Sequence, residues 1–165
     1  MIYLPAEMQA GNVRWLASRV HEAKVKHNCR VVFIDHLHFV VDLIQNKNPS
    51  WEIGKIMRLL KTEIALRHNV AVFLISHMTK LKFDEEPNVN DLRDSSFIGQ
   101  EADQVWIVYR ITDKGKKETD PDAFSNRALV VVGKSRRTGV LKAKVNVVKI
   151  GDSLVEEEFD DYPDL

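Results

Sequence analysis

Two unbroken apolar runs, Val31-Val32-Phe33-Ile34 and Val70-Ala71-Val72-Phe73-Leu74-Ile75, punctuate an otherwise mixed chain. Short continuous runs rich in β-branched side chains suit strands buried on both faces, as in a parallel sheet. Between them, Ile53, Ile56, Met57, Leu60 and Ile64 recur at spacings of three and four. That spacing predicts an amphipathic helix over 51–68, with Ser50 available as its N-cap. A strand, a long helix and a second strand make a crossover, hence a βαβ unit and parallel pairing. Upstream, Val13, Leu16, Val20 and Ala23 fall on one face of a helix predicted over Gly11 to Asn28. Arg14, Arg19, Glu22, Lys24 and Lys26 fall on its solvated side, and Asn28 suits the C-cap.

The rest of the chain is more broken. Ile2-Tyr3-Leu4, stopped by Pro5, is expected to be an edge strand. Residues 36–49 and 78–91 are polar connections, each following the end of a predicted strand. A short helix is predicted over Ser95 to Ala102 and a third strand over Gln104 to Tyr109. Residues 111–126 carry Gly115, Pro121 and many charges, and predict a long exposed loop. Strands over Ala128 to Val132 and Lys142 to Ile150 are expected to form an antiparallel hairpin across Thr138-Gly139. The three tryptophans, Trp15, Trp51 and Trp106, sit on predicted helices or strands and are expected in the core. The fold class is α/β, with a mainly parallel sheet and a C-terminal antiparallel hairpin.

Composition narrows this picture only slightly. Lys plus Arg (24) balances Asp plus Glu (24), so no global field announces a nucleic-acid partner, and such binding would need local patches. Cys29 is the single cysteine, which rules out an intrachain disulfide and fits a reducing, intracellular or cytoplasmic compartment. Just before a buried strand, it is expected to be a small core residue. No run approaches the ~20 apolar residues of a membrane span, and no signal peptide is legible. Residues 151–165 form an acidic tail outside the main domain, which is expected to cover residues 1–150.

Chemistry enters at the strand ends. Asp35 directly follows the first apolar run, where open α/β sheets bind ligands. In P-loop NTPases this is the Walker B position, whose carboxylate helps hold Mg²⁺ beside nucleotide phosphates. The bland alternative is an Asp that caps a turn. Ser76-His77 ends the second run in the same way. His36 and His38, two apart, would share a face of a strand and invite a metal reading. Spacing supplies no cysteine or acidic third ligand for them.

In order along the chain, the motifs resemble the RecA-like ATPase domain of DnaB-type replicative helicases. Ile34-Asp35-His36-Leu37-His38 resembles that family's Walker B segment, Ile-Asp-Tyr-Leu-Gln. Phe73-Leu74-Ile75-Ser76-His77-Met78 resembles its phosphate-sensor strand. Asp91-Leu92-Arg93-Asp94-Ser95, followed by Ile98, Gln100, Ala102-Asp103 and Tyr109-Arg110, resembles its Asp-Leu-Arg-(Glu/Asp)-Ser…Tyr-Arg run, the most specific of the set. Lys134-Ser135-Arg136…Thr138-Gly139 resembles the hairpin that carries its arginine finger.

The resemblance implies a RecA-like P-loop NTPase core that uses ATP and Mg²⁺. Asp35 would serve the metal through water, and His77 would sense the γ-phosphate. Arg136, with Lys134 beside it, would act on a neighbouring subunit's nucleotide in a hexameric homo-oligomer. Loops carrying Lys47, Lys80, Lys82 and Arg93 would meet single-stranded DNA phosphates. Other replication proteins would be partners, and no membrane is involved. One element departs from the pattern: no Gly-x-x-x-x-Gly-Lys-(Ser/Thr) occurs, and Gly133-Lys134-Ser135 lacks the upstream glycine. Glu7 superficially resembles the family's general base but lies too near Asp35 along the chain. The Walker A strand is therefore expected upstream of residue 1, this chain being the C-terminal part of a helicase domain or the product of a truncated gene. By itself it is expected not to hydrolyse ATP. Lacking that strand, the sheet is expected to close by strands sliding together or by pairing between chains. The alternatives are a non-catalytic RecA-like paralogue that acts in assembly or regulation, and a RecA-type or circadian-clock-type ATPase.

Overall fold

A computed structural model describes residues 13–37, 49–79, 86–92, 96–112, 124–139 and 143–157. The expected edge strand at Ile2-Tyr3-Leu4 lies outside them, as do His38 and the four cationic residues Lys47, Lys80, Lys82 and Arg93. The chain divides into two compact units, Met1–Lys80 with Asn90–Ala102, and Leu81–Val89 with Asp103–Leu165. Each has its own sheet.

In the first unit, helix α1 (Val13–His27) leads into strand β1 (Val31–Ile34). Lys24, Lys26 and His27 occupy the last turn of α1, where cations offset the helix dipole. Asn28 has φ +50°, and the N–H groups of Asn28 and Cys29 donate to the carbonyls of Lys24 and Ala23. A left-handed residue that lets the chain fold back onto its last carbonyls is the C-cap expected of Asn28. Helix α2 (Pro49–Leu59) starts one residue before Ser50, so Ser50 lies inside the first turn rather than at the cap. Proline suits that position because its missing N–H would have no partner there.

The single helix predicted over 51–68 instead changes winding. From Leu60 to Leu66 it is π-helical, and the Arg67 N–H reaches back to the Thr62 carbonyl. It ends at Asn69, also at φ +50°, where Val70 N–H donates to the Ala65 carbonyl. Strand β2 (Ala71–Leu74) follows and pairs in parallel with β1, in the register Val31↔Ala71 to Ile34↔Leu74. Helix α3 (Ser96–Glu101) packs on α2, where a Cβ on Gly54 would lie 3.1 Å from the Phe97 ring, a tight contact that the ring would have to yield to.

The core of this unit joins Val20, Ile34, Leu37, Ile53, Ile56, Leu60, Ile64 and Ile98. It lies on one face of β1 and β2. The other face is open: Phe33 is 70% exposed, and Val31, Phe73 and Ile75 are exposed with it. The expectation of strands buried on both faces is therefore corrected for this chain. Hydrophobicity records what a residue can bury, but burial needs a second layer, and none of the described residues supplies one here. Phe33 and Phe73, register partners, stack on that face with ring centroids 4.9 Å apart. Cys29 is half-buried, and its thiol donates to the Val31 carbonyl at 3.0 Å.

α1 also meets the helical turn that follows the π-helical segment through two imidazoles, His21 and His68, with centroids 5.4 Å apart. Desolvation lowers the His68 pKa from its usual 6.5, His21 and Arg67 lower it further, and Glu63 opposes them. A histidine whose folded pKa is depressed favours the neutral form, so its contribution to stability is present above pH 6.5 and lost as pH falls through the folded value. Urea midpoints are expected to fall as pH is lowered from 7 towards 5, and His68→Gln to flatten that slope. An unchanged slope in the variant would remove His68 from the account.

The second unit is a four-stranded antiparallel sheet in the order β3-β4-β5-β6: Gln104–Thr112, Phe124–Ser135, Lys144–Ile150 and Ser153–Glu156. The predicted β4–β5 hairpin is present. Three features differ from the sequence expectation. β3 pairs antiparallel with β4, with register shifts at Val105/Trp106 and Arg110/Thr112. β4 begins at Phe124, inside the segment predicted as loop. β6 continues the meander into residues read as tail. Val105, Ile107, Leu129 and Val131 are buried. Trp106 is 56% exposed and Trp51 58%, so neither is the core residue that its placement on a strand or helix suggested. β2 and β3 belong to different sheets, so the expected closure by strands sliding together within the chain does not occur among the described residues.

Candidate nucleotide site and its relatives

The parallel pairing of β1 and β2 does not stop at the strand ends. Ile75 N–H donates to the Ile34 carbonyl at 2.9 Å, and Leu37 N–H donates to the Ile75 carbonyl at 2.8 Å. Leu37, fully buried, anchors the chain just past Asp35. These bonds hold Asp35-His36 beside Ile75-Ser76-His77, at the carboxyl ends of two parallel strands. The peptide joining Asp35 and His36 is cis.

The Asp35 carboxylate is exposed, and His36 Nδ1 lies 3.9 Å from its Oδ1. The His36 and His77 rings are tilted against each other at 4.6 Å. Ser76 Oγ is buried and makes no hydrogen bond among the described residues. One bond further along, Met78 bridges Leu92, and Thr79 donates to the Asp91 carbonyl from N–H (2.8 Å) and Oγ1 (3.1 Å). The exit of β2 is thereby tied to the Asp91-Leu92 motif, which is distant in sequence.

The cluster thus offers a solvent-facing carboxylate, two imidazoles and an unsatisfied hydroxyl at one strand end. Such a set fits the water shell of Mg²⁺ and the outer oxygens of a phosphate. It is not a dry metal-ligand cluster: no group of three His, Cys, Asp or Glu positioned to hold a metal ion occurs among the described residues. Nor do the described residues include a glycine-rich loop before a helix to cradle phosphates. The residues fit the metal side of a nucleotide and leave the phosphate cradle unsupplied.

In the other unit, Lys134 lies on β4 opposite Val105, and Arg136 opens the turn after β4. The turn is built by Ser135 Oγ and Thr138 Oγ1 at 2.6 Å, and by Gly139 at φ +68°, whose N–H donates to the Ser135 carbonyl. Arg136 N–H donates to the Asp103 carbonyl at 2.8 Å, and its guanidinium lies 3.3 Å from the Asp103 carboxylate. The backbone is clamped while the guanidinium stays 53% exposed on its side chain. Of the sequence-predicted residues, Asp35 and His77 are brought together in one unit, and Lys134 and Arg136 in the other. Lys47, Lys80, Lys82 and Arg93 lie outside the described residues. The sequence reasoning missed Ser76 as a participant and the Thr79–Asp91 tie, for which no spacing signal exists.

No helix among the described residues is long and apolar enough to cross a membrane. Residues 2–150 match the family described as "DnaB-like helicase C terminal domain". A replicative DNA helicase DnaB of Rickettsia felis is 35% identical over 98 residues, covering 58% of this chain and 20% of the relative. One from Mycoplasma genitalium is 27% identical over 154 residues, covering 88% of this chain and 33% of that protein. Two solved structures superpose with a TM-score of 0.71 at 26% identity over 89% of this chain. One is an ATPase domain, of which 52% is covered; the other is a DnaB-like replicative helicase described with its interactions with primase, of which 36% is covered. The chain spans about a fifth to a third of the length of these curated relatives. The order of motifs, the paired strand ends and the match over residues 2–150 agree: the chain belongs to the DnaB-like helicase C-terminal domain family.

Proposed function

We propose that this chain forms the C-terminal part of an ATP-dependent replicative DNA helicase, which couples nucleotide hydrolysis to movement on single-stranded DNA and to duplex unwinding. The observation that supports it best is the Asp35–His77 arrangement at the ends of two parallel strands, in a chain of this family. Asp35 would hold the water shell of a Mg²⁺ ion, which would supply charge neutralisation to the nucleotide. His77 hydrogen-bonds the terminal phosphate, and the Thr79–Asp91 tie passes its presence or loss to the segment that follows. Arg136, with Lys134, reaches the nucleotide of a neighbouring subunit in a hexameric ring. Lys47, Lys80, Lys82 and Arg93 meet the DNA backbone in the ring's channel.

Nucleotide binding tests this. The chain alone, titrated with a fluorescent ATP analogue and Mg²⁺, is expected to show no saturation up to millimolar nucleotide, since it lacks a phosphate cradle. Fused behind the Walker A half of a DnaB-type domain, it is expected to hydrolyse ATP in the presence of single-stranded DNA. Asp35→Ala should lower that rate by roughly 10²-fold or more. Micromolar binding by the chain alone, abolished by Asp35→Ala, would overturn the division of labour proposed here.

A further inference from the structure

The two exposed tryptophans stand in different company. Trp106 shares its sheet face with the register partner Val132 and with the pair Val108 and Val130. That is an apolar stripe of the sort protein covers. Trp51 stands at the start of α2, 58% exposed, and its neighbours at i+4 and i+7 on the same helix face are Lys55 and Arg58. Both cations are exposed, and Lys55 Nζ lies 5.4 Å from the Trp51 ring centroid. The acidic residue adjacent in sequence, Glu52, is buried at 4% exposure, as are Ile53 and Ile56. Arg58 is shared with Glu101, 2.8 Å from its Nε.

We infer that Trp51 and Lys55 form a stacking platform for one base of single-stranded nucleic acid, with the ring under the base and the ammonium on the adjoining phosphate. The inference rests on the proposed helicase reading and adds a contact outside its loop lysines. A large aromatic surface paired with cations along one helix face is complementary to a strand that carries both π-faces and phosphates. An apolar protein partner would leave the Lys55 ammonium desolvated over the Trp51 ring, whereas a strand brings it a phosphate, so charge decides for nucleic acid. Arg58, already paired with Glu101, is the weaker contributor.

Fluorescence anisotropy of a labelled oligothymidylate with the 165-residue chain at low salt tests the platform. Trp51→Ala is expected to weaken binding about 5- to 100-fold, the range found for one stacked base. Trp51→Phe should stay within about threefold, because a ring remains. Lys55→Ala should reduce the slope of log affinity against log salt by about 0.7, one phosphate contact on a single strand. Trp106→Ala should change nothing. If the unaltered chain binds and Trp51→Ala binds equally well, the platform falls while the DNA reading stands. Equal losses in Trp51→Ala and Trp106→Ala also overturn it, as a general surface effect. Absence of binding by every form overturns it too, and leaves the helicase reading to the Asp35 experiment.

Discussion

In an assembled ring that hydrolyses ATP, Arg136→Ala is expected to lower kcat by about 10³- to 10⁵-fold, the effect of removing an arginine finger. The expectation is sharp because the substitution should cost the fold almost nothing. The Arg136–Asp103 ion pair is long, at 3.3 Å, with both side chains more than half exposed. Exposed pairs contribute about 0–1 kcal/mol. The backbone bond from Arg136 N–H to the Asp103 carbonyl survives the change, so the turn keeps its clamp. Arg136→Lys should recover little, because an ammonium lacks the planar fork that spans two phosphate oxygens. The measurement is steady-state turnover in rings mixed from Arg136→Ala subunits and subunits with an inactive nucleotide site. A finger acting across the subunit boundary restores partial activity in the mixture. Loss of activity together with a lowered melting temperature would instead make Arg136 a structural residue.

The largest effect on stability is expected from Ile64→Ala. Ile64 is fully buried on the π-helical segment, against the core that joins α1, β1, α2 and α3. Removing its side chain loses burial and leaves a cavity between elements that cannot collapse independently, at about 2–5 kcal/mol. Total stabilities lie near 5–15 kcal/mol, so the variant sits close to unfolding. A urea midpoint lowered by roughly 1 M or more is expected, read by circular dichroism. Phe33→Ala is the informative contrast. Phe33 is the larger side chain, but it is 70% exposed and loses only its stack on Phe73, about 0.5–1.5 kcal/mol. Equal midpoints for the two variants would show that the open face of β1 and β2 is covered in solution.

These two residues mark where the sequence was a good guide and where it was not. Val31-Val32-Phe33-Ile34 and the run from Val70 to Ile75 were legible as strands, and the helix between them required parallel pairing. Chain direction and handedness leave few alternatives once a crossover is recognised. The cap at Asn28 was legible too, whereas Asn69, which ends the second helix at the same left-handed conformation, and the proline start at Pro49 were not read from the sequence. The place of Asp35 at the end of β1 was legible because it directly follows the apolar run. Phe33 and Ile64 look alike as apolar letters, and nothing local says which meets a second layer. Trp51 and Trp106 were misplaced for the same reason.

What the sequence by itself determined is therefore the set of local and directional facts: that the two apolar runs are strands, where helices stop, which strand ends carry Asp35 and His77, and which motifs follow in what order. Those depend on side-chain periodicity and backbone preference within a few residues. Only the tertiary structure decided that β3 turns antiparallel to β4, that β6 extends the meander, and that α2 passes into a π-helical segment. It alone tied Thr79 to Asp91 and set the His36 ring against His77. Apart from the π-helical winding and the tight β5–β6 turn, these are pairings between residues distant along the chain. The free energy that selects such pairings comes from surface removed from water and from hydrogen bonds completed at a distance, and neither is a property of any short stretch of sequence.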